Sequence, residues 1–296
     1  MLNLESLKRK IHSAEELRSV VKTMKVLAAA SIRQYERAVD SLEEYNETVE
    51  MGLQILLQAR PDTEIVLKGS PTGRRGVVIY GSDLGMVGQF NAQIVSFAMK
   101  TLNDLQVNNE DRSILVLGER VVGLLEEEKQ NIEERLSFPG TLEGVAGVLQ
   151  EMLEIIDVWR MKRKVEQIIL FYNKPLTHAT YAPRMQYLLE INPEWVKDLR
   201  NRKWLSHVLP TFTMDWDQLF SAFIRQYFFV VLYRAFVESL ASENASRLSS
   251  MQAAEKNIRD ILDELTLQYN QERQNSITAE ILDIVAGFEA MTGENR

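Results

Sequence analysis

The chain of 296 residues is long enough to bury a sizeable core in one large or two modest domains. Its 45 % hydrophobic and 26 % charged residues are ordinary for a globular protein, and a formal net charge of −8 argues against a general nucleic-acid binder, which needs surplus Lys and Arg for the phosphates. With no cysteine, a disulfide scaffold, a thiolate zinc site and a thiol nucleophile are excluded.

The start, Met1-Leu2-Asn3-Leu4-Glu5, lacks the basic-then-apolar order of a signal peptide. All seven prolines lie between Pro61 and Pro210, and Gly52 is the one glycine of the first 60 residues. From Thr211 to Ala286 there is neither proline nor glycine. Helix breakers thus divide the chain into a helix over 1–60, an α/β domain over 61–210 and a helix over 211–296.

In the first segment, apolar or small residues fall at Leu4, Leu7, Ile11 and Ala14. After one slip they continue at Leu17, Val21, Met24, Ala28, Ser31, Tyr35, Ala38, Leu42, Tyr45 and Val49. Steps of three and four average 3.5, the period of a left-handed coiled coil. A helix of some 55 residues spans roughly 80 Å, too long to lie across a compact domain. Charge along it is uneven. Residues 1–37 carry a surplus of four positive charges, and 38–59 carry five acidic residues and no basic one. Arg18, Lys22 and Lys25 share one helix face, which suits a positive collar meeting an acidic partner or plain solvation.

In the middle, Val77-Val78-Ile79-Tyr80, Ile114-Leu115-Val116-Leu117 and Ile168-Ile169-Leu170-Phe171-Tyr172 read as buried strands, with a further strand at 186–191. Helical patterns near 90–105, 119–130 and 141–163 lie between them, so βαβ units and a mostly parallel, Rossmann-like sheet are expected. The acidic runs Glu126-Glu127-Glu128 and Glu133-Glu134 read as a solvated face on or beside a helix.

The last segment carries a matching stripe at Phe223, Tyr227, Val231, Ala241, Ala245, Leu248, Ile258, Leu262, Leu265 and Tyr269. A polar stretch, Asn270-Gln271-Glu272-Arg273-Gln274-Asn275-Ser276, separates it from Ile277, Ile281, Ile284, Val285 and Phe288. The run Phe228-Phe229-Val230-Val231-Leu232-Tyr233 is interrupted by Arg225, Arg234 and Glu238, short of the roughly 20 apolar residues a membrane span needs. It reads as a buried helix segment, so no direct membrane insertion is expected.

Chemistry is sparse. The turn Gly81-Ser82-Asp83-Leu84-Gly85-Met86-Val87-Gly88-Gln89-Phe90-Asn91 follows the first strand, but its spacing is neither GxGxxG nor a P-loop. It reads as a tight βα turn in which glycines supply positive φ or close approach. His12, His178 and His207 lack metal-ligand spacing. No catalytic residue, cofactor or metal is expected.

Two stretches carry a family resemblance: Val20-Val21-Lys22-Thr23-Met24-Lys25-Val26-Leu27-Ala28-Ala29-Ala30-Ser31, and Glu238-Ser239-Leu240-Ala241-Ser242-Glu243-Asn244-Ala245-Ser246-Arg247-Leu248 continued by residues 269–278. Both resemble the γ subunit of F-type ATP synthases, and the turn at 81–91 resembles that family's Ser-Asp-Arg-Gly-Leu-Cys-Gly-Gly-Phe-Asn signature. Leu84, Val87 and Gln89 depart from its arginine, cysteine and glycine; the segment 203–210 is unlike the family's usual one, and this chain is acidic where the family is often basic. The run Ser31-Ile32-Arg33-Gln34-Tyr35-Glu36 resembles a divergent bacterial branch, the alternative or N-type ATPase, with the coupling ion open between proton and sodium.

The resemblance implies an antiparallel coiled coil of the two ends and a noncatalytic central rotor stalk on the cytoplasmic face of the bacterial inner membrane. It would couple ion-driven rotation of a membrane c-ring to ATP synthesis or hydrolysis in a ring of α and β subunits, beside an ε-type subunit. Met24 and Lys25 would face the acidic lever of the catalytic subunit, Arg273 and Gln274 would meet its loops, and residues 277–291, with Ile277, Thr278, Ile281, Val285 and Phe288, would form an apolar tip in a bearing. From the residues alone, a nucleotide-binding α/β enzyme with helical arms or a coiled-coil scaffold stays open.

Overall fold

The computed structural model describes residues 4–60, 73–139, 142–177, 180–188, 193–204, 208 and 210–293; at 177, 193 and 288–293 only the backbone is described. In chain order the elements are α1 (Leu4–Ala59), β1 (Arg75–Tyr80), α2 (Phe90–Asp104), β2 (Arg112–Leu117), α3 (Glu119–Glu127), β3 (Ile132–Leu136), α4 (Leu142–Arg163), β4 (Gln167–Thr177), β5 (Thr180–Tyr187), α5 (Pro193–Asn201) and α6 (Trp216–Gly293). The chain divides into two compact units, Met1–Leu27 with Leu248–Arg296, and Ala28–Arg247.

The larger unit is built on a five-stranded sheet in the order β3-β2-β1-β4-β5. β3, β2, β1 and β4 run parallel, and β5 is antiparallel to β4. The apolar runs of β1, β2 and β4 are continuous because both faces are covered, as parallel sheets require. Side chains alternate between those faces. Val77, Ile79, Ile114, Val116, Ile169 and Phe171 pack with Ile94, Ala98 and Leu102 of α2 and Val121 and Leu125 of α3. Val78, Tyr80, Leu115, Leu117, Ile168, Leu170 and Tyr172 pack with α4 residues from Val145 to Trp159 and with Phe228, Leu232 and Phe236 of α6. Tyr80 meets Tyr172 and Phe236 edge-on, with ring centroids 6.3 and 6.1 Å apart, which favours aromatic pairing. Burial pushes the Tyr80 and Tyr172 hydroxyls well above their ordinary range.

A stretch of α6 is apolar enough by composition to cross a membrane. Its core residues Phe228, Val230, Val231 and Leu232 are buried, as expected of a core segment. In this unit α6 runs antiparallel to α1: the Trp216 indole donates to the Leu56 carbonyl (2.8 Å), Phe223 packs over Gly52, and Arg234 faces Glu43 at 3.8 Å. Short α5 joins them through Val196 and Leu199, which pack with Leu53, Leu57 and Val230. The Gln54 and Gln58 amides of α1 donate to the Arg202 and Arg200 carbonyls at 2.7 and 3.1 Å, satisfying groups the end of α5 leaves open.

The smaller unit contains the first part of α1 and the last of α6. Val21, Met251, Ile258 and Leu262 form its buried seam, flanked by Ile11, Ala14, Met24 and Ala254.

Several expectations need correction. Glu133 and Glu134 lie in β3, a sheet edge, where charge discourages further strand pairing. The last strand is residues 180–187 rather than 186–191, and 189–192 lie outside the described residues. Leu17 and Tyr45, placed in the α1 seam, are exposed, while Ile32 is buried. The 3.5-residue repeat follows one line along the helix, and Ile32 lies next to that line rather than on it. His12 is exposed, 3.4 Å from Glu16, and His178 and His207 lie outside the described residues.

Gly118 ends β2 with φ at +98°, and a Cβ there would lie 2.6 Å from the Ser82 backbone nitrogen. Backbone cannot swing aside as a side chain does. Gly118→Ala is expected to destabilise the larger unit by about 2–3 kcal/mol. Thermal denaturation reads this, and an unchanged melting temperature contradicts it.

Candidate functional site

Two surfaces concentrate the residues singled out from the sequence. In the larger unit, the turn after β1 is held from within. The Gly81 amide donates to the Leu117 carbonyl at 2.7 Å, and a Cβ on Gly81 would lie 2.0 Å from a Val121 methyl. Asp83 accepts the Glu119 amide at 3.0 Å, which opens α3, and the Phe138 amide at 2.8 Å. A carboxylate suits the positive end of a helix. Ser82 donates to the Leu84 carbonyl at 2.9 Å and accepts from the buried Asn91 amide at 2.8 Å. Positive φ falls on Gly88 and also on Met86, so the glycines supply one left-handed position and one close approach. Leu84 and Met86 point outward at 61 % and 53 % exposure.

Residues 238–247 of α6 are all buried although seven of them are polar or charged. Arg247 and Glu243 pair at 2.6 Å, and Arg247 donates to Asn244 at 3.3 Å. Glu238 faces Lys174 at 3.6 Å. Burial raises the Glu243 carboxyl above its ordinary range; Arg247 opposes this and the Asp83 charge adds to it. This segment's packing was not legible as a structural feature, because polar helix residues ordinarily signal solvent.

In the smaller unit, Arg18 and Lys22 are exposed, Met24 is half-buried on the seam, and Lys25 forms an ion pair with Glu255. The hydrogen bond from Lys25 holds the Glu255 carboxyl below its usual range, with Arg259 and Arg18 adding to it. Sequence reading missed Glu255, yet the signal was present. Leu248, Met251, Glu255, Ile258, Leu262, Leu265 and Tyr269 continue one 3.5-residue repeat. Glu255 is therefore a charge at a seam position, a device that fixes coiled-coil register.

Further along α6, Arg273, Gln274 and Thr278 are exposed, and the Thr278 hydroxyl donates to the Gln274 carbonyl at 2.9 Å. Ile277, Ile281, Leu282, Ile284 and Val285 are also exposed, from 46 % to 72 %. The side chain of Phe288 lies outside those described. On α1, Leu17, Val20, Val26 and Leu27 are exposed as well. Among the described residues no group of three or more His, Asp or Glu could hold a metal ion.

Comparison with known proteins agrees over the whole length. The family described as ATP synthase (ATP-synt) matches residues 3–291. The ATP synthase gamma chain of Ehrlichia canis is 25 % identical over 291 residues, covering 98 % of this chain and 100 % of that one. The ATP synthase gamma chain of Synechococcus elongatus is 26 % identical over 321 residues, covering 99 % and 100 %. Among solved structures, the rotor of the Euglena gracilis mitochondrial ATP synthase superposes with a TM-score of 0.63 at 14 % identity, over 93 % of this chain and 98 % of that one. The central stalk and c-ring structure from Tetrahymena thermophila gives 0.58 at 19 % identity, over 79 % and 99 %. These likenesses bear out the expected fold, a mostly parallel sheet set between two long terminal helices. The chain belongs to the ATP synthase family, and within that family it is the γ chain that it matches from end to end.

Proposed function

We propose that this chain is the central rotor shaft, the γ subunit, of a rotary ATP synthase, coupling ion-driven rotation to ATP synthesis or hydrolysis. The carrying observation is the far part of α6, a helix whose Ile277, Ile281, Ile284 and Val285 face outward. An exposed apolar stripe of this kind marks a surface that a partner covers. A surrounding ring of α and β subunits is that partner in this reading. An ε-type subunit and a membrane c-ring engage the larger unit, in line with the rotor and c-ring assemblies named for its structural neighbours. The subunit is noncatalytic and works as a peripheral part of a membrane-associated complex on the cytoplasmic face of a bacterial membrane. Its asymmetry drives the catalytic subunits through states of different nucleotide affinity by making different contacts in each.

The proposed contacts are Arg18, Lys22, Met24 and Lys25 on α1, and Arg273, Gln274, Ile277, Thr278, Ile281, Val285 and Phe288 on α6. The chain alone is expected to hydrolyse no ATP, and to support hydrolysis when assembled with α and β subunits. Arg273→Glu, at an exposed position, is expected to leave the melting temperature of the chain unchanged and to lower assembled turnover by about tenfold, the effect of opposing charge complementarity at a contact. Normal turnover in that variant removes Arg273 from the contact set. Failure of the unaltered chain to support any turnover refutes the rotor reading.

A further inference from the structure

A parallel sheet of this order has a topological switch point. From β1 the chain steps outward to β2 and β3, then returns through α4 to place β4 on the other side of β1. In open α/β sheets the crevice at the carboxyl ends of the two strands flanking such a switch is where ligands sit, with phosphate on the first βα turn. Here that place lies where β1 runs into the turn at 81–89 and where β4 passes Asn173.

That crevice is filled by the chain itself. The Ser242 hydroxyl, fully buried, donates to the Asn173 carbonyl at 2.9 Å. One helical turn on, the buried Ser246 hydroxyl donates to the Val87 carbonyl at 2.6 Å and lies 3.2 Å from the Tyr181 hydroxyl of β5. Ser239, Ser242 and Ser246 follow at steps of three and four, so one face of α6 is small enough for its backbone to approach the strand ends closely. The polar groups at this end of the sheet are also taken up within the chain: Asp83 accepts the Glu119 and Phe138 amides, and Glu243 is paired with Arg247. The amides that a nucleotide fold would offer to a phosphate at Glu119 and Phe138 are thus already occupied by a carboxylate.

We propose that residues 239–247 are a built-in occupant of the crevice this topology otherwise offers to a nucleotide. Ser242 and Ser246 are positioning residues that key the sheet onto α6, so that torque passes between the α/β domain and the shaft helix. The torque clause rests on the rotor reading; the occupancy clause does not.

Two measurements test it. Titration of ATP or NADH into the full chain is expected to show no binding, and micromolar affinity for either overturns the occupancy. In the assembled, membrane-reconstituted complex, the double variant Ser242→Ala with Ser246→Ala removes both hydroxyls without adding bulk. Amides at 81–91 are expected to exchange with solvent roughly tenfold faster or more, as loss of two buried hydrogen bonds implies. Ions pumped per ATP hydrolysed should fall by about half or more while the hydrolysis rate holds, a split that a loss of folded protein does not produce. An unchanged pumping ratio overturns the keying. The unaltered chain serves as control: if it supports no coupled activity, the rotor reading fails instead.

Discussion

Replacing Arg247 by methionine is expected to destabilise the larger unit by about 3–5 kcal/mol, because it strands the buried Glu243 carboxylate. At a few degrees per kcal/mol, the melting temperature falls by roughly 10 °C. The deficit depends on pH with a definite sign. Burial already raises the Glu243 carboxyl, and Arg247 is what restrains the rise. Without Arg247 the folded carboxyl holds its proton to higher pH than the unfolded one. Its relative stability is then greatest below the ordinary carboxylate range and is lost as pH rises through the folded value. Arg247→Met is thus closest to the unaltered chain near pH 5 and furthest from it near pH 8. Adding Glu243→Gln removes the buried charge and should recover much of the loss at pH 8. Thermal melts across that range read all three statements, and a deficit that grew on acidification contradicts them.

Reversing Lys25 is the second large effect. Lys25→Glu sets two carboxylates against each other at a seam position, so the smaller unit loses its register charge. Assembled turnover is expected to fall by about tenfold or more. The exchange variant, Lys25→Glu with Glu255→Lys, rebuilds the pair in the opposite sense and should restore the melt of the isolated chain. Turnover should stay low, because the proposed contact with an acidic catalytic-ring partner needs the positive charge on α1. Full recovery of turnover in the exchange variant confines Lys25 to an intrachain role. Acid gives an independent check. The Glu255 carboxyl lies below its ordinary range, so the stabilisation it brings is present above that range and disappears as pH falls through the lowered value.

These residues also show where sequence reading succeeds and where it stops. The three inner strands were legible because each is an apolar run covered on both faces, and the intervening helices because their apolar positions repeat at helical spacing. β3 was not, since Glu133 and Glu134 interrupt its apolar residues at a sheet edge. Nor was α5, whose nine residues include only a short apolar set, Trp195, Val196 and Leu199. The α1 seam was legible as a period but misplaced at Leu17 and Tyr45, where periodicity alone says nothing of what stands opposite. Of the two polar pairs, Arg247 with Glu243 has the i,i+4 spacing of any solvated helix pair, so spacing does not reveal that it is buried. Part-buried Lys25 with Glu255 joins residues 230 apart in the chain; the repeat marks Glu255 as a seam position but does not name its partner. The contact surface proposed on α6 coincides with a break in its stripe at residues 270–276, a polar stretch that the structure leaves mostly exposed.

The bare apolar stripe between Ile277 and Val285 has a consequence for biosynthesis. Helices hold together in water chiefly through packing, and this stretch has little of its own. Before assembly this stretch is expected to fray and to be open to a housekeeping protease, which limited proteolysis of the isolated chain reads. Any subunit made in excess of its ring partners would be trimmed there and removed. In the rotor reading, the stripe proposed to sit inside the ring would thus also hold the cellular ratio of this chain to its partners.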